Sequence, residues 1–159
     1  MDAAPTDVVF VGRMLLAAAL AFAIGWEREF RGSPAGDRTH TLVALGAAAF
    51  TSVSVDAFPG SAEKLIAGVV TGIGFLGAGM IVKETGQVLG LTTAAGMWAV
   101  AAVGVITGAG EYLMGVTLTA IILLVLEIHR VWPFSKLEDY MRTHGEHARN
   151  HGIERDRGG

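Results

Sequence analysis

The fold class this sequence predicts is an all-α, polytopic transmembrane helical bundle of about five spans, and three observations predict it. Of 159 residues, 52% are hydrophobic and 17% charged, and the mean hydropathy is +0.49, too apolar for a soluble domain of this length. The apolar residues gather into five long runs parted by short clusters of glycine, proline and charge, and roughly 20 apolar residues in a helix cross a bilayer core. No run alternates with the period of two that a barrel needs, so each span must satisfy its backbone internally as a helix.

The first run, Val8 to Trp26, follows Asp2 and Asp7, where a cleaved leader would carry basic residues, and it is expected to stay as a spanning helix. Gly32, Ser33, Pro34 and Gly36 then make a loop. The second run, Thr39 to Phe58, stops at Phe58, Pro59, Gly60 and Ser61. Lys83, Glu84, Thr85 and Gly86 part the third run, Leu65 to Val82, from the fourth, Val88 to Gly110. The fifth, Tyr112 to Val131, is set off only by Gly110 and Glu111. Trp26, Trp132 and Tyr112 fit an interfacial aromatic belt, whereas Trp98 lies inside the fourth run as a filler over its glycines. From Pro133 the composition turns polar, with Lys136, Arg142, Arg149, Arg155 and Arg157 against Glu138, Asp139, Glu146, Glu154 and Asp156. The chain therefore divides into a membrane domain, 1–132, and a polar cytoplasmic tail, 133–159.

Basic residues orient the bundle. Arg28, Arg31, Arg38, Lys83 and Arg130, with the five of the tail, fall on one side of a five-span chain. Lys64 stands on the other, with Arg13 near enough to the start of span one to snorkel outward. The N-terminus is thus expected outside and the C-terminus inside.

That orientation collects polar residues at cytoplasmic helix ends: Glu27, Arg28, Glu29 and Arg31, then Arg38, Thr39 and His40, Lys83 and Glu84, Thr92 and Thr93, and Glu127, His129 and Arg130. Charge at bilayer depth must pair or reach water. Glu27 and Glu29 are therefore expected to neutralise Arg28, Arg31 or Arg38 around a small polar pocket. The alternative is a set of interfacial anchors that snorkel to headgroups.

Helix three carries Gly68, Gly72, Gly74, Gly77 and Gly79, and helix four Gly104 and Gly108. Small residues four apart let helices approach closely in lipid, within a bundle or a homodimer. Five glycines in one span also admit local unwinding that would expose backbone ligands to an ion. In the tail, His144, His147 and His151 share one helical face at a spacing able to bind a transition metal, although tail histidines are ordinarily just solvated.

Several classes fall away. A net charge of −3 gives no basic footprint for nucleic acid. The absence of cysteine removes thiol nucleophiles and Cys-ligated zinc. Thr39 and His40 lie near acids, but nothing marks a nucleophile with its base and orienter, so no enzyme is expected.

Four ordered blocks carry a family resemblance. They are Gly25, Trp26, Glu27, Arg28 and Glu29; Ala35 and Gly36, Arg38, Thr39 and His40, with Leu42 to Gly46; Gly72 to Gly79; and Gly90, Leu91, Thr92, Thr93, Ala94 and Ala95 followed by Trp98. Together they resemble the MgtC/SapB family of bacterial inner-membrane proteins. Asp37 departs from the usually apolar residue of the family at that position and could pair with Arg38. Longer relatives carry a small soluble C-terminal domain that the short tail does not match, so functions tied to it are not carried over. The resemblance implies a multi-pass helical protein of the bacterial inner membrane linked to growth under magnesium limitation, some members being thought to restrain the F-type ATP synthase.

Two functions follow as expectations. The first is a non-enzymatic regulator that docks to a membrane partner through glycine-lined helices and senses ionic conditions, Mg²⁺ among them, at the polar layer. The spans offer no midplane acid, where a secondary transporter usually has its site. The alternative is a small transporter or channel for Mg²⁺ or H⁺, with Glu27 and Glu29 as its acidic mouth.

Overall fold

A computed structural model describes residues 5–84 and 87–131. Its element order is α1 (Pro5–Phe30), α2 (Asp37–Ala57), α3 (Ala62–Gly79), β1 (Val82–Glu84), β2 (Gln87–Leu89), α4 (Leu91–Gly108) and α5 (Tyr112–Val131). Four helical stretches, Asp7–Phe30, Asp37–Ala57, Ala62–Gly79 and Leu91–Gly108, are long and apolar enough to cross a membrane. The chain is a multi-pass, helical membrane protein. The fifth run forms a helix as well, α5, of 20 residues. Contacts divide the chain into two units, Met1–Leu123 and Leu124–Gly159, and of the second the described part is the end of α5.

Within the first unit α4 is the central helix: 56% of its span is buried, against 11% for α3. Its glycines explain how it gets there. A Cβ at Gly108 would lie 2.6 Å from the Ala48 carbonyl oxygen, and one at Gly104 would run into the Ala44 carbonyl and stand 2.8 Å from the Ala47 Cβ. Glycine at both positions lets the α4 backbone rest on α2, where packing rather than hydrophobicity holds helices together. The apolar core lies along this contact, with Ala44, Ala48, Met97, Val100 and Val103 fully buried. Gly115 of α5 faces Thr107 of α4 in the same way, since a Cβ there would lie 2.6 Å from the Thr107 Oγ1.

The connection between the third and fourth spans differs from expectation. Helix α3 ends at Gly79 rather than Val82, and α4 begins at Leu91 rather than Val88. The residues between pair as a small antiparallel hairpin, Val82 with Leu89, Lys83 with Val88 and Glu84 with Gln87. β-Branched valines on both sides of a turn favour extended backbone. Gly90 closes the hairpin at φ +86°, where a Cβ would collide with the Met80 carbonyl.

Candidate functional site

The corner where α1 hands over to α2 is the most polar place in the described residues, and glycine makes it. At Gly25 the two helices approach so closely that a Cβ would lie 3.0 Å from both the Gly36 carbonyl oxygen and the His40 Cβ. Across the imidazole stands Gly96 of α4, whose Cβ would be 3.7 Å from His40 Nε2. His40 is fully buried in this slot. Its Nδ1 is 2.8 Å from the Gly36 carbonyl oxygen. A carbonyl only accepts, so Nδ1 carries the proton, and Nε2 is left facing α4 with no hydrogen-bond partner among the described residues.

Glu27 lies within electrostatic reach of the same ring, as does Arg28. Its carboxylate is 12% exposed and 2.7 Å from Arg31 Nε, one helical turn on, and 3.6 Å from Arg28 Nη1. These are ion pairs by distance, yet neither Glu27 oxygen finds well-aligned hydrogen-bond geometry, and Arg28 Nε and Thr41 Oγ1 are likewise buried without a partner. The Coulombic pairing is the firmer reading, because distance alone sets it while alignment varies with small rotations. Buried polar atoms are normally satisfied by protein or water, so five such atoms at one corner, on Glu27, Arg28, His40 and Thr41, mark a polar site rather than simple packing.

Glu29 does something the sequence did not suggest. Instead of neutralising an arginine, its Oε2 accepts the backbone N–H of Asp37 at 3.1 Å, capping α2 from the preceding helix. Gly36 is needed beneath it, because a Cβ there would strike this carboxylate. Asp37 also departs from expectation. Its Oδ1 accepts the Arg38 backbone N–H at 2.5 Å, and the Arg38 guanidinium makes no ion pair among the described residues. Ser33 Oγ, 3.3 Å from Thr93 Oγ1, ties the α1–α2 loop to α4.

The other residues of the expected polar layer fall elsewhere. Thr39 lines a pocket with Glu29, Ser33, Pro34, Asp37 and Arg38. Glu84 is exposed on β1 opposite Gln87, and Thr92 is exposed on the first turn of α4. Glu127 lies in the second unit. His144, His147 and His151, with the side chains of His129 and Arg130, lie outside the described residues. Of the packing glycines, Gly104 and Gly108 meet α2, and Gly77 is 3.7 Å from Ala94. A Cβ at Gly68, Gly72, Gly74 or Gly79 would meet nothing within 4 Å among the described residues.

As a magnesium site the corner fits poorly. Mg²⁺ is held by oxygen ligands with several waters, but Glu27 already faces two arginines. No group of three or more metal-ligating side chains occurs among the described residues. A divalent cation would have to displace an arginine, whereas the bare Nε2 of His40 is a hydrogen-bond acceptor.

A second polar node lies near the other end of α4. Arg13 Nη1 donates to the Gly108 carbonyl oxygen at 3.1 Å, Ser52 Oγ donates to the same oxygen at 3.0 Å, and Arg13 Nε reaches Tyr112 Oη at 3.5 Å. Arg13, expected to snorkel outward, binds the Gly108 carbonyl oxygen at the C-terminal end of α4, where a cation complements the helix dipole.

Comparison with known proteins adds to this picture. A model described as the MgtC family matches residues 14–132. The chain is 42% identical over 128 residues to the "Putative magnesium transporter YhiD" of Escherichia coli (strain K12), covering 75% of this chain and 60% of that protein. It is 44% identical over 114 residues to "Protein MgtC" of Salmonella typhimurium (strain LT2), covering 72% and 49%. With "Protein MgtC" of Brucella abortus (strain 2308) it shares 55% over 91 residues, covering 55% and 37%. The chain thus spans between 37% and 60% of the length of these relatives. No solved structure matches it.

Proposed function

The chain belongs to the MgtC family, and from that membership we propose that it is a non-enzymatic regulator in magnesium homeostasis, placed in the bacterial inner membrane and acting through helix contacts with a membrane partner such as the F-type ATP synthase. The observation that carries the reading is the outer face of α3. At 100° per residue, Ala67, Thr71, Gly74 and Ala78 fall within an arc of about 60°. All four are exposed, a Cβ at Gly74 would meet nothing within 4 Å, and Phe75 beside them is 82% exposed. Small residues four apart are what a second helix packs against in lipid. The poor fit of Mg²⁺ to the polar corner supports the same reading, with the corner responding to conditions rather than passing the ion.

A transporter of Mg²⁺ or H⁺ is the second reading, favoured by the unpaired Nε2 of His40 beside Glu27 and by the transporter name of the Escherichia coli relative. One reconstitution separates the two. With F-type ATP synthase in sealed liposomes, the folded chain should lower ATP-driven proton pumping, and Gly74→Leu should relieve the effect. Unchanged pumping would sink that partner. Saturable Mg²⁺ or H⁺ entry from the chain alone, abolished by Glu27→Gln, would make it a transporter.

A further inference from the structure

A groove of about 700 Å³ opens between α2 and α3, with Met97 and Ala101 of α4 as its floor. Its walls are apolar, Leu42, Val43 and Phe50 on one side and Leu65, Val69 and Leu76 on the other. Glycine keeps it open: nothing lies within 4 Å of a Cβ placed at Gly46, Gly68 or Gly72. Arg38 and Thr39 stand at one mouth and Lys64 lines the other end. The Arg38 mouth continues into a second, polar pocket of about 480 Å³ that Arg38 and Thr39 share with Glu29, Ser33 and Asp37. An apolar trough and a polar pocket thus share Arg38, whose guanidinium makes no ion pair among the described residues.

We propose that this groove binds one glycerophospholipid with a primary-ammonium head group. Its tails lie along α2 and α3, its phosphate sits on Arg38, and its ammonium faces Asp37 and Glu29. The guanidinium fork matches phosphate oxygens, and basic pockets between transmembrane helices are where phospholipid head groups dock. The two acids are what narrow the choice. Asp37 Oδ1 and Glu29 Oε2 are occupied by backbone N–H groups, which leaves each carboxylate a second oxygen for an ammonium beside the phosphate. A wholly anionic head group would meet these acids unfavourably, and a quaternary choline has no N–H to give them.

Size favours lipid over a partner helix. From Arg38 to Phe50 the groove follows α2 for about 18 Å at 1.5 Å per residue. That is little more than one leaflet of a hydrocarbon core roughly 30 Å thick. A spanning helix would run past both ends of this groove, whereas the acyl tails of one leaflet match its length. The groove is also separate from the outer face of α3, since Ala67, Thr71, Gly74 and Ala78 do not line it.

The test uses the full chain, purified in detergent, stripped of lipid and titrated with phosphatidylethanolamine, phosphatidylglycerol or phosphatidylcholine of identical tails, with bound lipid counted by native mass spectrometry. One phosphatidylethanolamine should be retained about tenfold more tightly than phosphatidylcholine. Arg38→Gln should weaken all three lipids, and Asp37→Asn should erase the preference for phosphatidylethanolamine. The double variant Gly46→Leu, Gly68→Leu should abolish retention while keeping the thermal midpoint, because both side chains enter open space. Gly74→Leu, outside the groove, should change nothing. Equal retention of phosphatidylethanolamine and phosphatidylcholine would overturn the proposal, as would undiminished binding to the plugged variant. Disulfide cross-linking of two copies through Leu42→Cys would overturn it in favour of a protein occupant.

Discussion

Glu27 and Glu29 sit two residues apart on one helix and do different jobs, which a substitution series can separate. Glu27 is nearly buried between Arg28 and Arg31, so Glu27→Gln strands an arginine that is itself only 14% exposed. Breaking a fully buried pair costs about 3–5 kcal/mol; with Arg31 a third exposed, a loss of about 1–3 kcal/mol is expected. Glu29→Gln keeps an oxygen that can accept the Asp37 N–H and should cost well under that. Thermal unfolding of both variants in detergent measures the difference, and equal losses would refute the division of roles. The His40 slot yields a second contrast. Gly25→Ala forces a methyl to 3.0 Å from the Gly36 carbonyl oxygen and should sharply lower the yield of folded protein. Gly96→Ala places its methyl 3.7 Å from Nε2, an ordinary contact, and should be tolerated.

Glycine spacing alone does not say which helix is packed. Gly68 with Gly72 and Gly104 with Gly108 have the same separation, yet α4 is enclosed and α3 lies at the side. Gly108→Ala should therefore destabilise the fold, since its Cβ meets the Ala48 backbone at 2.6 Å. Gly68→Ala should be neutral or stabilising, by up to about 1 kcal/mol of helix propensity. Comparable losses at both sites, in the same unfolding assay, would mean that α3 is covered within the folded chain. What the sequence made legible were the helices themselves, because long apolar runs broken by Gly and Pro leave few other structures in lipid. It did not reveal the hairpin at Val82–Glu84 and Gln87–Leu89, where three-residue strands are too short to show a period. Nor could it show that Glu29 caps α2 or that Arg13 reaches Gly108. The first depends on how the α1–α2 loop turns the chain back on itself over eight positions, the second on helices 95 positions apart coming together.

At the scale of the whole molecule, the distribution of charge and the helix packing make a joint prediction about orientation. The α1–α2 corner and the hairpin bring Arg28, Arg31, Arg38 and Lys83 to helix ends that alternate with those bearing Lys64 and Arg13. By the positive-inside rule, the excess of arginine and lysine around the first set predicts that it faces the cytoplasm. The chain contains no cysteine, so single cysteines report without background. In intact cells, cysteines at Ser33 and Gln87 should resist a membrane-impermeant maleimide until the membrane is opened, whereas one at Ser61, in the turn between α2 and α3, should label at once. The polar corner and the mouth of the groove at Arg38 would then face the cytoplasm together, where the ionic conditions a regulator must read are set. Labelling of Ser33→Cys and protection of Ser61→Cys would invert the bundle and place the Arg38 mouth in the outer leaflet. Orientation thus decides which side of the membrane both the site and the groove sample.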